Sequence, residues 1–169
     1  DLHNIHLDLP PVSTPTDMTE EPSPYRFTAG TAADDARFPV VLQFASKAHV
    51  ADRASDGAGI ALIRYYLEPG KGESADIFRL RRADTLILDA TLPELGDDPI
   101  LCEDVHALAI DCIDGEGEAH TTWNAETDDR RNAAPRAVAI RLELGASSDL
   151  NVYETTIALP LWWDEGEAE

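Results

Sequence analysis

The stretch LCEDVHALAIDCIDGEGEAHTTWNAETDDRRNAAPRAVAIRLEL, residues 101–144, decides how the chain folds. Its last eight residues place apolar side chains at Val138, Ile140, Leu142 and Leu144, with small or charged side chains between them. A period of two is typical of a β-strand that buries one face. These residues therefore predict a strand over 137–144.

The first half of the same stretch predicts a second strand that ends in a turn. Leu101, Val105 and Leu108 are at helical spacing, whereas apolar and polar residues alternate from Leu108 onward. We therefore expect one short helical turn that leads into a strand. The strand runs into residues 114–117, Asp-Gly-Glu-Gly, whose glycines suit a chain reversal with positive φ.

Between these two strands lie Trp123 and an acidic, polar loop over 124–134. Pro135 closes the loop, and because proline cannot donate to a strand ladder it is favoured at the start of a strand. The order of features is thus strand, turn, tryptophan, loop and strand.

Elsewhere, short apolar runs separated by Gly- and Pro-containing turns predict further strands. They cover residues 38–45, 60–67, 76–82 and 152–159. The turns at 69–72 and 145–149 predict two hairpins, which join 60–67 to 76–82 and 137–144 to 152–159. With six or more short strands and no long amphipathic helix, the predicted fold is mainly β, with antiparallel sheets.

The chain fits one globular domain with extensions at both ends. Residues 1–24 hold five of the eleven prolines among polar residues, which predicts a linker or a surface arm. Residues 25–163 form the predicted β-rich head, and residues 164–169 an acidic tail. Adjacent residues of a strand face opposite ways, so at least one of Trp162 and Trp163 is a candidate interface anchor, unless a ring caps the sheet.

Composition restricts the classes of partner. The chain has 13 Lys and Arg against 33 Asp and Glu, a net charge of −20, so nucleic acid and anionic lipid are not expected partners. No run of 18 apolar residues predicts a membrane span, and no segment resembles a signal peptide. Because the sequence begins at Asp1 without a methionine, we expect a processed or trimmed product.

The sequence contains no motif for catalysis. A Gly-rich phosphate loop, a Gly-x-Ser-x-Gly elbow and a His-Glu-x-x-His helix are all absent, so we expect no enzyme activity, no catalytic residues and no bound cofactor.

Two sets of residues are candidates for other chemistry. The closely spaced carboxylates Asp111, Asp114, Glu116 and Glu118 suit a hard cation such as calcium, although the same residues also make an ordinary acidic hairpin turn. Cys102 and Cys112 are an even pair that can form a disulfide closing a loop of about 10 residues, worth ~3 kcal/mol. Alternatively, Cys112 is packed as a small apolar side chain on its strand.

The order of features over roughly residues 25–160 resembles the J-type minor pseudopilins of the bacterial type II secretion system, the GspJ family. The matching residues of the deciding stretch are Val105, Leu108, Asp114, Gly115, Trp123, Pro135, Ala137, Val138, Ile140, Leu142 and Leu144. Residues 25–30, 41–46, 60–67 and 78–82 follow the family's upstream order. Ala134 stands where the family usually has Leu.

The resemblance implies an α+β pseudopilin fold whose long, apolar N-terminal helix, with its leader and methylated N-terminus, is missing from this sequence. It implies a periplasmic head anchored in the inner membrane through that helix. The implied partners are the I-, K- and H-type minor pseudopilins in a tip complex, and secreted substrates. The alternatives are a minor pilin of a type IV pilus and, in a different class, an extracellular calcium- or glycan-binding β module.

Overall fold

The structure is a computed structural model that describes residues 1–6, 26–30, 39–50, 59–70, 77–86, 94–125, 134–146 and 148–160. The described residues form one short 3-10 helix, Leu2–Asn4, and ten strands. The strands are β1 (Ile5–His6), β2 (Thr28–Ala29), β3 (Val40–Ser46), β4 (Ala61–Pro69), β5 (Phe78–Leu86), β6 (Ile100–Ile113), β7 (Ala119–His120), β8 (Trp123–Asn124), β9 (Ala137–Leu144) and β10 (Asn151–Ala158). The predicted mainly β fold is confirmed.

All ten strands belong to one antiparallel sheet, in the order β10-β9-β6-β5-β4-β3-β2-β8. β1 pairs with β3, and β7 pairs with the end of β6. Only two residues separate β7, which pairs with β6, from β8, which pairs with β2 at the other end of the strand order. The sheet must therefore curl so that these two parts come together.

Both predicted hairpins are confirmed, β4 with β5 and β9 with β10. The long strand β6 joins them, since its first half pairs with β5 and its second half with β9.

The core fills the inside of the curl. Phe44 of β3 is fully buried and stacks against Phe27 at a ring-centroid distance of 6.1 Å. Trp123, from the deciding stretch, is buried to 5% exposure in the same cluster. Pro135 is also fully buried, just before β9. Burial of such large side chains removes much apolar area from water.

The helical turn predicted ahead of Leu108 is wrong, because residues 100–113 form one continuous strand of 14 residues. The sequence pattern is misleading because the ladders of β6 shift register between Val105 and Ala107 and opposite Leu80. Asp104, just before the first shift, has φ +54°. An extra residue at a bulge changes which face the next apolar residue occupies, so a strict period of two is lost.

The first six residues pack into the head. Leu2 and Ile5 are core residues, and Ile5 pairs with Ser46 of β3. The single Ser46 hydroxyl proton is shared between the backbone oxygens of Asn4, at 3.0 Å, and Asp1, at 3.2 Å. The rest of the predicted arm, residues 7–24, lies outside the described residues, and the domain boundaries stay predictions.

Candidate protein-interaction face

Counting only the residues that the structure describes, one face of the sheet is apolar and partly covered. A shallow cavity of about 210 Å³ lies on it, beside the first residues of the chain. Its lining residues are Asp1, Leu2, His3, Val41, Leu42, Tyr65, Leu80, Leu108, Ile110, Ile140 and Ile157. We call these residues the apolar face. Half-buried aliphatic side chains on a sheet are typical of a surface that another element covers.

A second depression, of about 400 Å³, lies on the opposite side of β6, β9 and β10. It is larger but more open, and its lining includes Asp111, Arg141, Glu154 and Thr156. Because five of its seven lining residues are charged or polar, its volume alone does not make it the better candidate. We therefore regard the apolar face as the candidate site.

An ion-pair network fixes the start of the chain at the edge of the apolar face. The Arg82 guanidinium lies 2.6 Å from the Asp1 carboxylate and 2.8 Å from that of Asp84. The Tyr65 hydroxyl also donates to Asp1. Since Arg82 and Asp84 have side chains only 12% and 11% exposed, these contacts are shielded from water more than surface ion pairs are.

The same network extends to the loop after β3. Asp84 contacts His49 Nδ1 at 2.7 Å and accepts the Val50 N–H at 2.8 Å. Burial alone would raise the pKa of Asp84, but the hydrogen bonds from His49, Val50 and Arg82 outweigh it and hold that pKa below its ordinary value. Asp84 is therefore a charged acceptor that ties the loop after β3 to β5 at neutral pH.

Arg79 and Arg81, which form a basic run on β5 together with Arg82, also contact carboxylates. Arg81 Nε lies 2.7 Å from Glu68, and Arg79 lies 3.7 Å from Glu68 and 3.6 Å from Glu103. The run therefore neutralises neighbouring acidic residues of the same domain.

The acidic turn has a different geometry from the predicted calcium site. Asp114 Oδ1 accepts the N–H groups of Glu116 and Glu118, and Asp114 Oδ2 lies 2.7 Å from His120 Nε2. The hydrogen bond from His120, followed by those from the two backbone N–H groups, lowers the pKa of Asp114. Both oxygens of this carboxylate thus hold the turn itself, as in an Asx-turn.

The set of possible ligands also differs from the predicted one. Asp114, Glu118 and His120 each offer an atom within 4.8 Å of the others. Asp111 instead lies on β6, opposite Ala139. Calcium binding at this turn stays a prediction, which calorimetric titration with calcium chloride tests.

The two cysteines are not bridged, so the structure does not form the disulfide considered above. Both lie on β6, and ten residues of extended strand separate them by about 33 Å, far beyond the Cα distance of a disulfide. Cys112 is fully buried in the core beside Val138, which confirms the alternative that it packs as an apolar side chain. Burial raises the pKa of the Cys102 thiol.

Two further points concern the tryptophans near the end of the chain and the ion pair at its start. Trp162 and Trp163 lie outside the described residues, so their role at an interface stays a prediction. The Asp1–Arg82 pair was missed because its members are 81 residues apart, and no local signal connects them. The basic run of β5 was the available signal, but it does not say which carboxylates it meets.

The comparison with protein families decides between the alternatives left open by the sequence. The family model of the type II secretion system (T2SS), protein J, matches residues 10–153 of the 169. The chain belongs to the protein J family. A search of curated proteins found no match.

Membership in the protein J family makes this chain a pseudopilin of the type II secretion system and thus a component of a protein-transport machine. It implies interaction with other pseudopilins. The match covers the deciding stretch and all of the strands from β2 to β9. Among the described residues, no helix is long and apolar enough to cross a membrane.

Proposed function

We propose that this protein J chain is the non-enzymatic, periplasmic head of a minor pseudopilin anchored in the inner membrane. In this proposal the head joins the I-, K- and H-type minor pseudopilins in a complex at the tip of the pseudopilus. The tip complex then helps to drive secreted proteins across the outer membrane. The family match supports the secretion role, and the apolar face beside the anchored Asp1 is the observation that carries the structural part.

The apolar face is suited to receive a helix. Leu80, Leu108, Ile110 and Ile140 are half-buried and lie on three neighbouring strands, β5, β6 and β9. A helix laid across them would remove their remaining apolar area from water, at roughly 25 cal/mol per Å². The resemblance to J-type pseudopilins implies such a helix ahead of Asp1, and with it the α+β fold expected of the family.

The ion-pair network at Asp1 would join that helix mechanically to the sheet. Asp1 is bound by Arg82 of β5 and Tyr65 of β4, and Leu2 is buried in the core. A helix ending at this point could not pivot freely on the head. Such stiffness suits a subunit that transmits a push along a filament.

Sedimentation velocity tests the proposed partnership. The purified head is mixed in turn with the purified soluble heads of the I-, K- and H-type pseudopilins of the same secretion system. We expect a discrete complex with at least one of them. If all three mixtures sediment as separate monomers at concentrations of about 100 µM, well above the affinity range of specific complexes, the tip-complex role is contradicted.

A further inference from the structure

Strand β10 is the outermost strand of the sheet and is paired on one side only among the described residues. Its ladder with β9 is regular over all eight residues, without a register shift. Six of these residues in succession, 151–156, are exposed. They include two of the large exposed hydrophobic side chains of the described chain, Val152 (48% exposed) and Tyr153 (57%).

The backbone hydrogen bonds show which groups of β10 point away from the sheet. The Leu159 N–H donates to the Arg136 oxygen, so this pair is a hydrogen-bonded pair of the ladder. Such pairs alternate along an antiparallel ladder, so residues 153, 155 and 157 bond to β9. The N–H and C=O groups of Val152, Glu154, Thr156 and Ala158 therefore point outward and are available to another strand.

Within the described part of the chain, this edge lacks most of the usual protection against pairing. Natural edge strands are blocked by lysine, proline, bulges or a covering element. The sequence of β10, NVYETTIA, contains no lysine or proline, and its only charged residue is Glu154. It is also rich in β-branched and aromatic residues, which favour strands. An edge of this kind is typical of a surface that is covered when the protein is at work.

The charge distribution favours a partner other than a second copy of this chain. Each copy has a net charge of −20, so two copies brought edge to edge would repel one another. On the side of β9 and β10 opposite the apolar face, Glu154 and Glu143 both contact Arg141. Two carboxylates against one guanidinium leave this cluster of three side chains negatively charged. A strand that carries Lys or Arg opposite Glu154 would match this edge.

We propose that β10 binds an edge strand of another, less acidic minor pseudopilin head, whose backbone extends the sheet past β10. This inference rests on the proposed function, because it takes the I-, K- and H-type heads as the candidate partners. The main-chain groups of residues 152, 154, 156 and 158 supply the hydrogen bonds, and Glu154 supplies the charge selectivity.

Amide hydrogen exchange measured by NMR tests the proposal in the wild-type head. In the free head, the amides of Val152, Glu154, Thr156 and Ala158 should exchange quickly, whereas those of Tyr153, Thr155 and Ile157 are protected by β9. On binding the I-, K- or H-type head, the four outward amides should slow by at least about tenfold. The alternation distinguishes strand addition from contacts made by side chains alone.

Two substitutions test the same edge by affinity. Thr156→Pro removes an outward N–H without removing a bond to β9, and proline is tolerated on the open side of an edge strand. We expect about tenfold weaker binding from Thr156→Pro and little change from the control Thr156→Ala. Glu154→Lys, at a 63% exposed side chain, should also weaken binding, and more at low salt than at high salt.

The outcomes separate this inference from the proposed function. A complex that leaves the four outward amides unprotected overturns the inference and leaves the tip-complex role standing. Absence of a complex with every head overturns both. Protection of these amides by self-association of the head, without any partner, overturns the choice of a different pseudopilin.

Discussion

At the scale of single residues, Tyr66 shows how one buried hydroxyl holds a loop against the sheet. Tyr66 is fully buried on β4, where its hydroxyl donates to Asp98 at 2.7 Å and accepts the Gly96 N–H at 3.1 Å. Burial, followed by the hydrogen bond to the Asp98 carboxylate and its charge, raises the pKa of Tyr66 to about 12. The neutral hydroxyl is therefore part of the folded state.

Replacement of Tyr66 by Phe should lower the free energy of unfolding at pH 7 by about 1–2 kcal/mol, because Asp98 and Gly96 each lose a partner. The pKa of this group is higher in the folded state than in the unfolded state. Its stabilising effect is therefore complete below about pH 10 and is lost as pH rises toward 12. Urea unfolding at pH 7, 10 and 11.5 measures this.

The control for this substitution is Tyr153→Phe, at a tyrosine that is 57% exposed. It should change the free energy of unfolding by less than about 0.5 kcal/mol. If Tyr66→Phe were as stable as wild type at pH 7, or lost as much stability as wild type between pH 10 and pH 11.5, the role assigned to the hydroxyl would be wrong.

The cysteines give a second prediction at this scale. Titration of the unfolded, unreduced protein with a thiol reagent should find two free thiols per chain, since neither cysteine is bridged. A reducing agent should leave the melting temperature unchanged. In the folded protein both thiols should react slowly, because Cys112 is fully buried and burial raises the pKa of Cys102. A fall in melting temperature on reduction would show instead that the disulfide exists.

At the scale of elements, the β9–β10 hairpin depends on one glycine. Gly145 follows β9 with φ +112°, and a Cβ placed there would lie 2.5 Å from the Asp149 backbone oxygen. Gly145→Ala should therefore destabilise the head by more than about 1 kcal/mol, from backbone strain and the forced movement of the turn. Thermal unfolding followed by circular dichroism measures the loss.

Gly115, in the turn after β6, is the matched control. A Cβ at Gly115 would meet nothing within 4 Å, and its φ is not positive. Gly115→Ala should thus leave the melting temperature within about 2 °C of wild type. Equal effects of the two substitutions would mean that the geometry of the Gly145 turn is not what holds this hairpin.

These elements also show what could be predicted from sequence. Both hairpins were predictable because each pairs two runs that are adjacent in the chain and separated by a Gly-containing turn. The length of β6 was not predictable. Its bulges shift the alternation of apolar and polar residues, and this alternation is the pattern from which a strand is predicted.

The candidate site was less accessible to sequence reasoning than the hairpins. The residues of the apolar face are scattered along the chain, the first being Asp1 and the last Ile157. They lie together because of the order of the strands in the sheet, and not because of their spacing in the sequence. The acidic spacing around Asp114 correctly indicated a turn. It did not indicate that both carboxylate oxygens of Asp114 would be hydrogen-bonded, one to the backbone of that turn and the other to His120.

At the scale of the whole molecule, one curled sheet separates two kinds of surface. The inside of the curl holds the aromatic core, and the apolar face extends from it beside Asp1. The rest of the protein carries the excess of acidic residues, with a net charge of −20. This division suits a subunit that must stay in solution as a head while it offers specific faces to a helix and to neighbouring subunits.

The measurement that tests the central claim most directly is a secretion assay in a strain that lacks the gene. The account predicts that substrates of the type II secretion system accumulate in the periplasm and that the wild-type gene restores their release into the medium. Export into the periplasm should be unaffected. If the deletion strain released these proteins normally and instead lost type IV pili, the chain would serve the pilus and the secretion role would be contradicted.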